Sequence, residues 1–194
     1  MKYQLDDKCY MHHGYISTNL KYDFDKLWSL HPAKYGKIKI YGKIINTPRY
    51  TQSYLQSYNY SGMVHLAIDL PPEFEQFLEY ANKLVSKFSY KYNQVLVNWY
   101  ENGNHYIGAH SDNESQIIEN SPILCISLGA TRTMRIRHKE TNEIVKDIIL
   151  EDRSYIIMCG EMQQYFTHEI LKSTVSNTLN EKRISLTFRM FNSI

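Results

Sequence analysis

The chain has 194 residues, of which 43% are hydrophobic and 22% charged, with a formal net charge of +2 and an isoelectric point near 8.3. That length suits one domain with a sizeable core, and so mild a charge leaves any partner to be read from local patterning. The opening Met1-Lys-Tyr-Gln-Leu lacks a signal peptide's apolar run, no stretch approaches the roughly 18 apolar residues of a membrane span, and the three cysteines form no Cys-x-x-Cys pair. The expectation is a soluble, intracellular, monomeric protein with reduced thiols, Cys125 and Cys159 lying in its core.

Asp23 to Leu30 carries Phe24, Leu27 and Trp28 at helical spacing behind an Asp cap, so a short helix is predicted there. Pro71-Pro72 opens a second helix. Phe74, Phe77, Leu78, Ala81, Leu84, Val85 and Phe88 form its apolar stripe, and Glu73 and Glu75 suit its first turn. That stripe reads as packing against a sheet. Between Lys26 and Ile68 there is no acidic residue; Lys34, Lys37, Lys39, Lys43 and Arg49 alternate with Tyr35, Tyr41, Tyr50, Tyr54, Tyr58 and Tyr60. Cations for phosphates and rings for unstacked bases are what single-strand or flipped-base binding uses. A merely solvated basic surface reads equally well. Arg132, Arg135, Arg137 and Lys139 form a second basic cluster, spaced by two over three positions as for one face of a strand.

From residue 94 the texture changes to short runs of Ile, Val, Leu and aromatics bounded by Gly, Asn and Asp. Strands are predicted near 94–100, 105–109, 122–128, 133–138, 144–150, 154–159, 164–168 and 183–191. Several short strands without intervening helices point to a jelly roll. The expected architecture is mainly β with flanking helices (α+β): one domain over 1–194, with substrate-side loops and supporting helices in 1–93 and the β core in 94–191.

Two clusters carry chemistry. His110-Ser-Asp112 and the distant His168 supply two imidazoles and a carboxylate, the ligand set of non-haem Fe(II) oxygenases, which leaves coordination positions open for a co-substrate and O2. Arg183-Ile-Ser-Leu-Thr-Phe-Arg189 supplies fixed positive charge for an anionic co-substrate.

Asn98-Trp-Tyr100, the turn at Asn102-Gly103, His110-Ser-Asp112-Asn-Glu114, Ser127-Leu-Gly-Ala-Thr-Arg132 and Arg183 to Arg189 occur in the order of the AlkB family of nucleic-acid demethylases, which the chain resembles over residues 42–191. Pro48-Arg49 and Tyr58-Asn-Tyr-Ser-Gly62 resemble that family's substrate-side loops. The resemblance implies a double-stranded β-helix with a hairpin lid, binding Fe(II), 2-oxoglutarate and O2. It implies His110, Asp112 and His168 as metal ligands, Arg189 on the distal carboxylate of 2-oxoglutarate, Asn98 and Tyr100 hydrogen-bonding that co-substrate, and Arg183 near its metal-chelating end. Glu114 would face the target base, and Arg49, Tyr58, Tyr60, Ser61 and Arg132 would contact substrate. Asn113 stands where close relatives carry a second Asp. Ser185 replaces an Asn that helps hold the co-substrate, so weaker binding of it is expected.

The implied reaction is oxidative demethylation of N-alkylated bases, such as 1-methyladenine and 3-methylcytosine, in DNA or RNA, a choice the sequence leaves open, with release of formaldehyde. A base in a duplex must first be extruded, and Tyr54 and Met63 are the candidates to fill the gap it leaves. Two other readings stand beside this one: a 2-oxoglutarate hydroxylase of a protein or small molecule, and a non-catalytic jelly-roll binding module.

Overall fold

A computed structural model describes residues 1–86, 90–173 and 181–192, and in it two β-sheets enclose the interior. The larger sheet has eight strands, in the spatial order β1 (Lys2–Gln4), β2 (Cys9–Tyr15), β14 (Ser154–Gly160), β11 (Ile123–Gly129), β16 (Arg183–Arg189), β9 (Gln94–Tyr100), β5 (Tyr50–Tyr54) and β8 (Ala67–Ile68). The smaller has four: β10 (Ile107–His110), β15 (Phe166–Ile170), β12 (Arg132–His138) and β13 (Ile144–Leu150). Two ribbons stand apart, β3 (Lys37–Ile40) with β4 (Lys43–Asn46), and β6 (Tyr58–Tyr60) with β7 (Met63–His65). The helices are α1 (Phe24–Ser29), α2 (Pro72–Val85) and the single turn α3 (Met162–Tyr165). This is the expected jelly roll, mainly β with flanking helices.

The central strands β9 and β16 are buried at every residue, so their period of two sorts side chains between two different interiors. Val95, Val97 and Trp99, with Ile184, Leu186 and Phe188, join the cluster that contains the helices. The alternate residues Asn98, Tyr100, Ser185, Thr187 and Arg189 face a cavity between the sheets. One strand thus serves both the core and the site. A second apolar cluster fills the gap beyond the cavity, with Ile123, Ile156 and Met158 from the larger sheet against Ile136, Ile148 and Phe166 from the smaller.

The helices form where expected and cover the outer face of the larger sheet. Asp23 caps α1 by accepting from the amides of Asp25 and Lys26, and the Trp99 indole donates to the Leu27 carbonyl at 3.0 Å. In α2, Phe74, Phe77, Ala81 and Val85 are buried in that cluster, while Leu78 and Leu84 pack at its margin. Phe88 lies outside the described residues. Lys26 of α1 pairs with Glu73 of α2 at 2.9 Å. No helix among the described residues is long and apolar enough to cross a membrane.

The division at residue 94 does not survive. β1, β2, β5 and β8 all belong to the larger sheet, so the first half supplies strands as well as supporting helices. The signal was faint because β2 (Cys-Tyr-Met-His-His-Gly-Tyr) buries only Cys9 and Met11 fully, and its other positions are polar or aromatic. The strand expected at 164–168 begins at Phe166, because Gln164 and Tyr165 donate their amides to the Glu161 carbonyl and close a helical turn first. The junction of β2 with β14 places Gly160 opposite Cys9, with Gly160 at φ +69°. A Cβ there would lie 1.9 Å from the Lys8 carbonyl oxygen. Gly160→Ala is therefore expected to cost at least about 1–3 kcal/mol and to lower the melting temperature by several degrees in a thermal unfolding scan.

Candidate metal centre and co-substrate cavity

The smaller sheet brings the two histidines together. His110 closes β10 and His168 lies in β15 directly opposite it in the antiparallel ladder, with ring centroids 4.3 Å apart. His168 sits between Phe166 and Ile170 on the inward face, so strand alternation alone carries it into the interior. Asp112 follows two residues after β10, its amide donating to Gln163 Oε1 at 2.9 Å. One ligand atom from each of His110, Asp112 and His168 lies within 4.8 Å of the other two.

The donor chemistry suits a first-row divalent metal. His110 Nδ1 faces the Gly108 carbonyl at 2.9 Å, which leaves Nε2 for coordination, the usual outer-shell arrangement for a ligating imidazole. Asp112 Oδ2 accepts from Arg189 Nη2 at 2.9 Å, and Oδ1 is the oxygen turned toward His110 Nε2, 3.9 Å away. Burial alone would raise the Asp112 carboxyl; Arg189 and then the two imidazoles outweigh it and bring it down to about 2. Burial, with His110 beside it, lowers His168 to about 3 against the pull of Asp112. At neutral pH the set is two neutral imidazoles and one carboxylate, the protonation state that binds metal.

A cavity of about 410 Å³ opens from this triad. On the larger sheet it is lined by Asn98, Tyr100, Cys125, Ser185, Thr187 and Arg189, and toward the hairpins by Arg49, Tyr58, Tyr60, Ser61 and Glu114. Arg183 is fully buried behind Tyr100, its guanidinium 4.9 Å from that ring. Its Nε donates to Ser127 Oγ at 2.8 Å, while Nη1 and Nη2 have no protein partner among the described residues. A buried cation with two open donors calls for an anion. That is the fit expected for a dicarboxylate co-substrate.

Of the two arginines, Arg189 reaches the triad, where Arg183 was the one expected nearer the metal. Arg189 is bonded to Asp112. Arg183 is six residues earlier on the same strand, about 20 Å along it at the usual rise, and makes no contact with the triad. Arg132 is a second correction. It was expected to touch substrate, yet it lies on the inward face of β12, 3% exposed, donating to the His105 carbonyl at 2.6 Å and also to that of Leu171. Burial and then the charge of Arg183 lower it to about 10, against Tyr100. Arg135 and Arg137 point the other way and are paired with Asp147 at 2.7 Å and Glu169 at 2.8 Å, so these two charges of the second basic cluster are neutralised. Tyr54, a candidate to fill an extruded base's gap, is 1% exposed and packs on Phe74.

The other expected substrate-side residues gather at one mouth. Tyr58 donates its hydroxyl to Glu114 at 2.6 Å and lays its ring 4.8 Å from the Arg189 guanidinium. Burial raises the Glu114 carboxyl, opposed by that hydrogen bond. Tyr60 stacks on His65 at 4.0 Å, and Ser61, at φ +49°, accepts from the Lys39 amide, linking the two ribbons. Arg49 lines the cavity but is 4% exposed, with its donors on Asn98 and on the Tyr106 carbonyl. Tyr41 was named only as one ring of the basic window and not as a gap-filling candidate: at φ +46° beside Gly42 at the tip of β3–β4, it is wholly exposed. Tyr-Gly flanked by alternating Ile and Lys was the available hairpin signal.

Residues 30–189 match the 2OG-Fe(II) oxygenase superfamily. The chain belongs to that superfamily. Its cofactors are Fe(II), 2-oxoglutarate and O2, and the residues at the triad and around Arg183 fit them. The chain is 27% identical over 165 residues to mouse (Mus musculus) DNA oxidative demethylase ALKBH2, covering 79% of this chain and 66% of that protein. It is 31% identical over 116 residues to the human (Homo sapiens) alpha-ketoglutarate-dependent dioxygenase alkB homolog 3, covering 56% of this chain and 40% of that one. The matches thus span less than two thirds of these relatives' lengths. The solved structure of OsALKBH1 superposes over 93% of this chain and 97% of that chain, with a TM-score of 0.61 at 14% identity, which shows a shared fold. Together these place the chain among the AlkB-type oxygenases.

His168→Ala removes one of three ligands. Stoichiometric Mn(II) binding, followed by electron paramagnetic resonance, is expected to fall at least about tenfold, with the circular dichroism spectrum unchanged.

Proposed function

We propose that this chain is an Fe(II)- and 2-oxoglutarate-dependent demethylase of N-alkylated bases, such as 1-methyladenine and 3-methylcytosine, in DNA or RNA, acting as a monomer. The observation that carries this reading is the single cavity that runs from the metal triad to the Tyr58–Glu114 pair under the two hairpins. The name of the mouse relative, a DNA oxidative demethylase, supports the substrate class, and that of the human relative supports the dioxygenase chemistry. Fe(II), 2-oxoglutarate and O2, once bound, supply the oxidation: one oxygen atom converts 2-oxoglutarate to succinate and CO2, and the other hydroxylates the N-alkyl carbon, which leaves as formaldehyde.

The residues of the chain hold and orient. His110, Asp112 and His168 retain the metal on one face, leaving the cavity side open. Arg189 sits where the chelating end of the co-substrate meets the metal, and Arg183 with Tyr100 takes the remote carboxylate. Ser185 and Asn98 line the path between. Tyr60, Ser61 and the Tyr58–Glu114 pair wall the base side, where Glu114 suits the cationic rings that N-alkylation creates. Arg49 contributes to that wall mainly through Asn98.

Outside the mouth, β3–β4 presents Lys37, Lys39 and Lys43, exposed and free of ion pairs among the described residues, beside the exposed Ile44 and the fully exposed Tyr41. Lysines meet phosphates, and an exposed ring on a rigid turn can occupy the gap of an extruded base. Tyr41 takes this role in place of Tyr54.

Purified protein with Fe(II), ascorbate and 2-oxoglutarate is expected to restore the unmodified base in oligonucleotides carrying 1-methyladenine or 3-methylcytosine. Consumption of 2-oxoglutarate with no base restored in DNA or RNA sinks the demethylase reading and favours a protein or small-molecule hydroxylase. Tyr41→Ala is expected to lower turnover on duplex substrate about fivefold or more, from the lost stacking, and to spare single-stranded substrate; equal losses on both would remove Tyr41 from the gap-filling role.

A further inference from the structure

The carboxamide of Asn98 is held at one end only. Its Oδ1 accepts two hydrogen bonds, from Thr51 Oγ1 at 2.8 Å and from Arg49 Nε at 2.9 Å. Arg49 Nε can only donate, so the end facing it must be the oxygen, and the amide nitrogen is turned the other way. The hydrogen bonds of the Asn98 side chain among the described residues are these two on its oxygen, and Asn98 lines the cavity. Thr51 lies directly opposite Asn98 in the β5–β9 ladder and is not part of the cavity wall. Arg49 is tied down in turn by its second donor, Nη1 on the Tyr106 carbonyl at 3.2 Å.

We infer that Arg49 and Thr51 are positioning residues that lock the Asn98 amide with its N–H donors toward the anionic co-substrate. An unheld carboxamide turns over and offers its oxygen to a carboxylate as readily as its nitrogen, which converts a donor into a repulsive contact. With both clamps on Oδ1 only the donating orientation is available. Ordering the amide before binding removes a cost that would otherwise fall on association. The inference rests on the reading that Asn98 faces 2-oxoglutarate. It gives Arg49, placed by sequence among substrate contacts, a role through another side chain.

The test is binding rather than turnover. Isothermal titration of 2-oxoglutarate into Mn(II)-loaded full-length protein is expected to show Thr51→Val weakening the co-substrate about threefold to tenfold, the usual range for one hydrogen bond, with Mn(II) affinity and melting temperature unchanged. Thr51→Ser, which keeps the hydroxyl, restores the wild-type value, and Arg49→Gln shows a comparable loss. In an Asn98→Ala background Thr51→Val is expected to cause no further loss, since the side chain it acts through is gone. Wild-type affinity in both Thr51→Val and Arg49→Gln, or an undiminished effect of Thr51→Val in the Asn98→Ala background, overturns the inference alone. Failure of the wild-type protein to bind 2-oxoglutarate overturns the co-substrate reading and the inference together.

Discussion

A buried ion pair ties the two sheets together where the metal ligands meet. Arg189 ends β16 of the larger sheet, Asp112 follows β10 of the smaller, and both are almost fully enclosed at a separation of 2.9 Å. Taking either charge out of water alone costs several kcal/mol, so neither residue is tolerable in this interior without the other. The pair also decides which carboxylate oxygen is available. Oδ2 is occupied by Arg189, so Oδ1 is left to face the histidines. Docking one sheet on the other and shaping a ligand set are thus the same interaction seen from two sides.

The cavity inherits its division of labour from the sheets. The smaller sheet supplies imidazoles through cross-strand pairing of β10 with β15, where opposite residues share a face. The larger supplies anion-binding groups from the inward face of β9 and β16, whose outward faces are filled by Val, Leu, Ile, Phe and Trp packed on the helices. Rigidity follows from that arrangement: these strands cannot shift register without moving every charged side chain into the apolar layer. The hairpins carry none of this constraint, and they form the side of the cavity where a large substrate would enter.

Much of this was legible in sequence because it depends on local patterning. β9 and β13 occupy the predicted residues, and the metal set of His110, Asp112 and His168 converges as spacing and residue type implied. What escaped depends on relations between segments. Arg183 and Arg189 lie on the same face of one strand, and nothing in Arg-Ile-Ser-Leu-Thr-Phe-Arg states which of them bonds Asp112; that follows from the docking of β16 against the loop after β10. Arg132 was grouped with three cations spaced by two, but residue 132 is of opposite parity to 135, 137 and 139, and parity sends it inward. Tyr54 and Tyr41 are the same residue type in one basic window. Only the pairing of β5 with β9 buries the first, and only the turn at Gly42 exposes the second.

The substitution at Ser185 gains meaning from its place in the larger sheet. Thr51, Asn98, Ser185 and Ser127 are successive cross-strand neighbours on β5, β9, β16 and β11, so they form one polar row across four strands. Arg183 donates to Ser127 at one end of the row, and Arg49 donates to Asn98 toward the other. Where the family pattern has an asparagine at Ser185, this row would hold two amides. Here the serine hydroxyl is engaged with Cys125 Sγ at 3.1 Å and is too short to make the same contacts. Asn98 is then the one amide in this row left to meet an anion, and its orientation has no neighbouring amide to compensate for an error. A row with a single amide requires that amide to be held, which is what two donors converging on its oxygen accomplish.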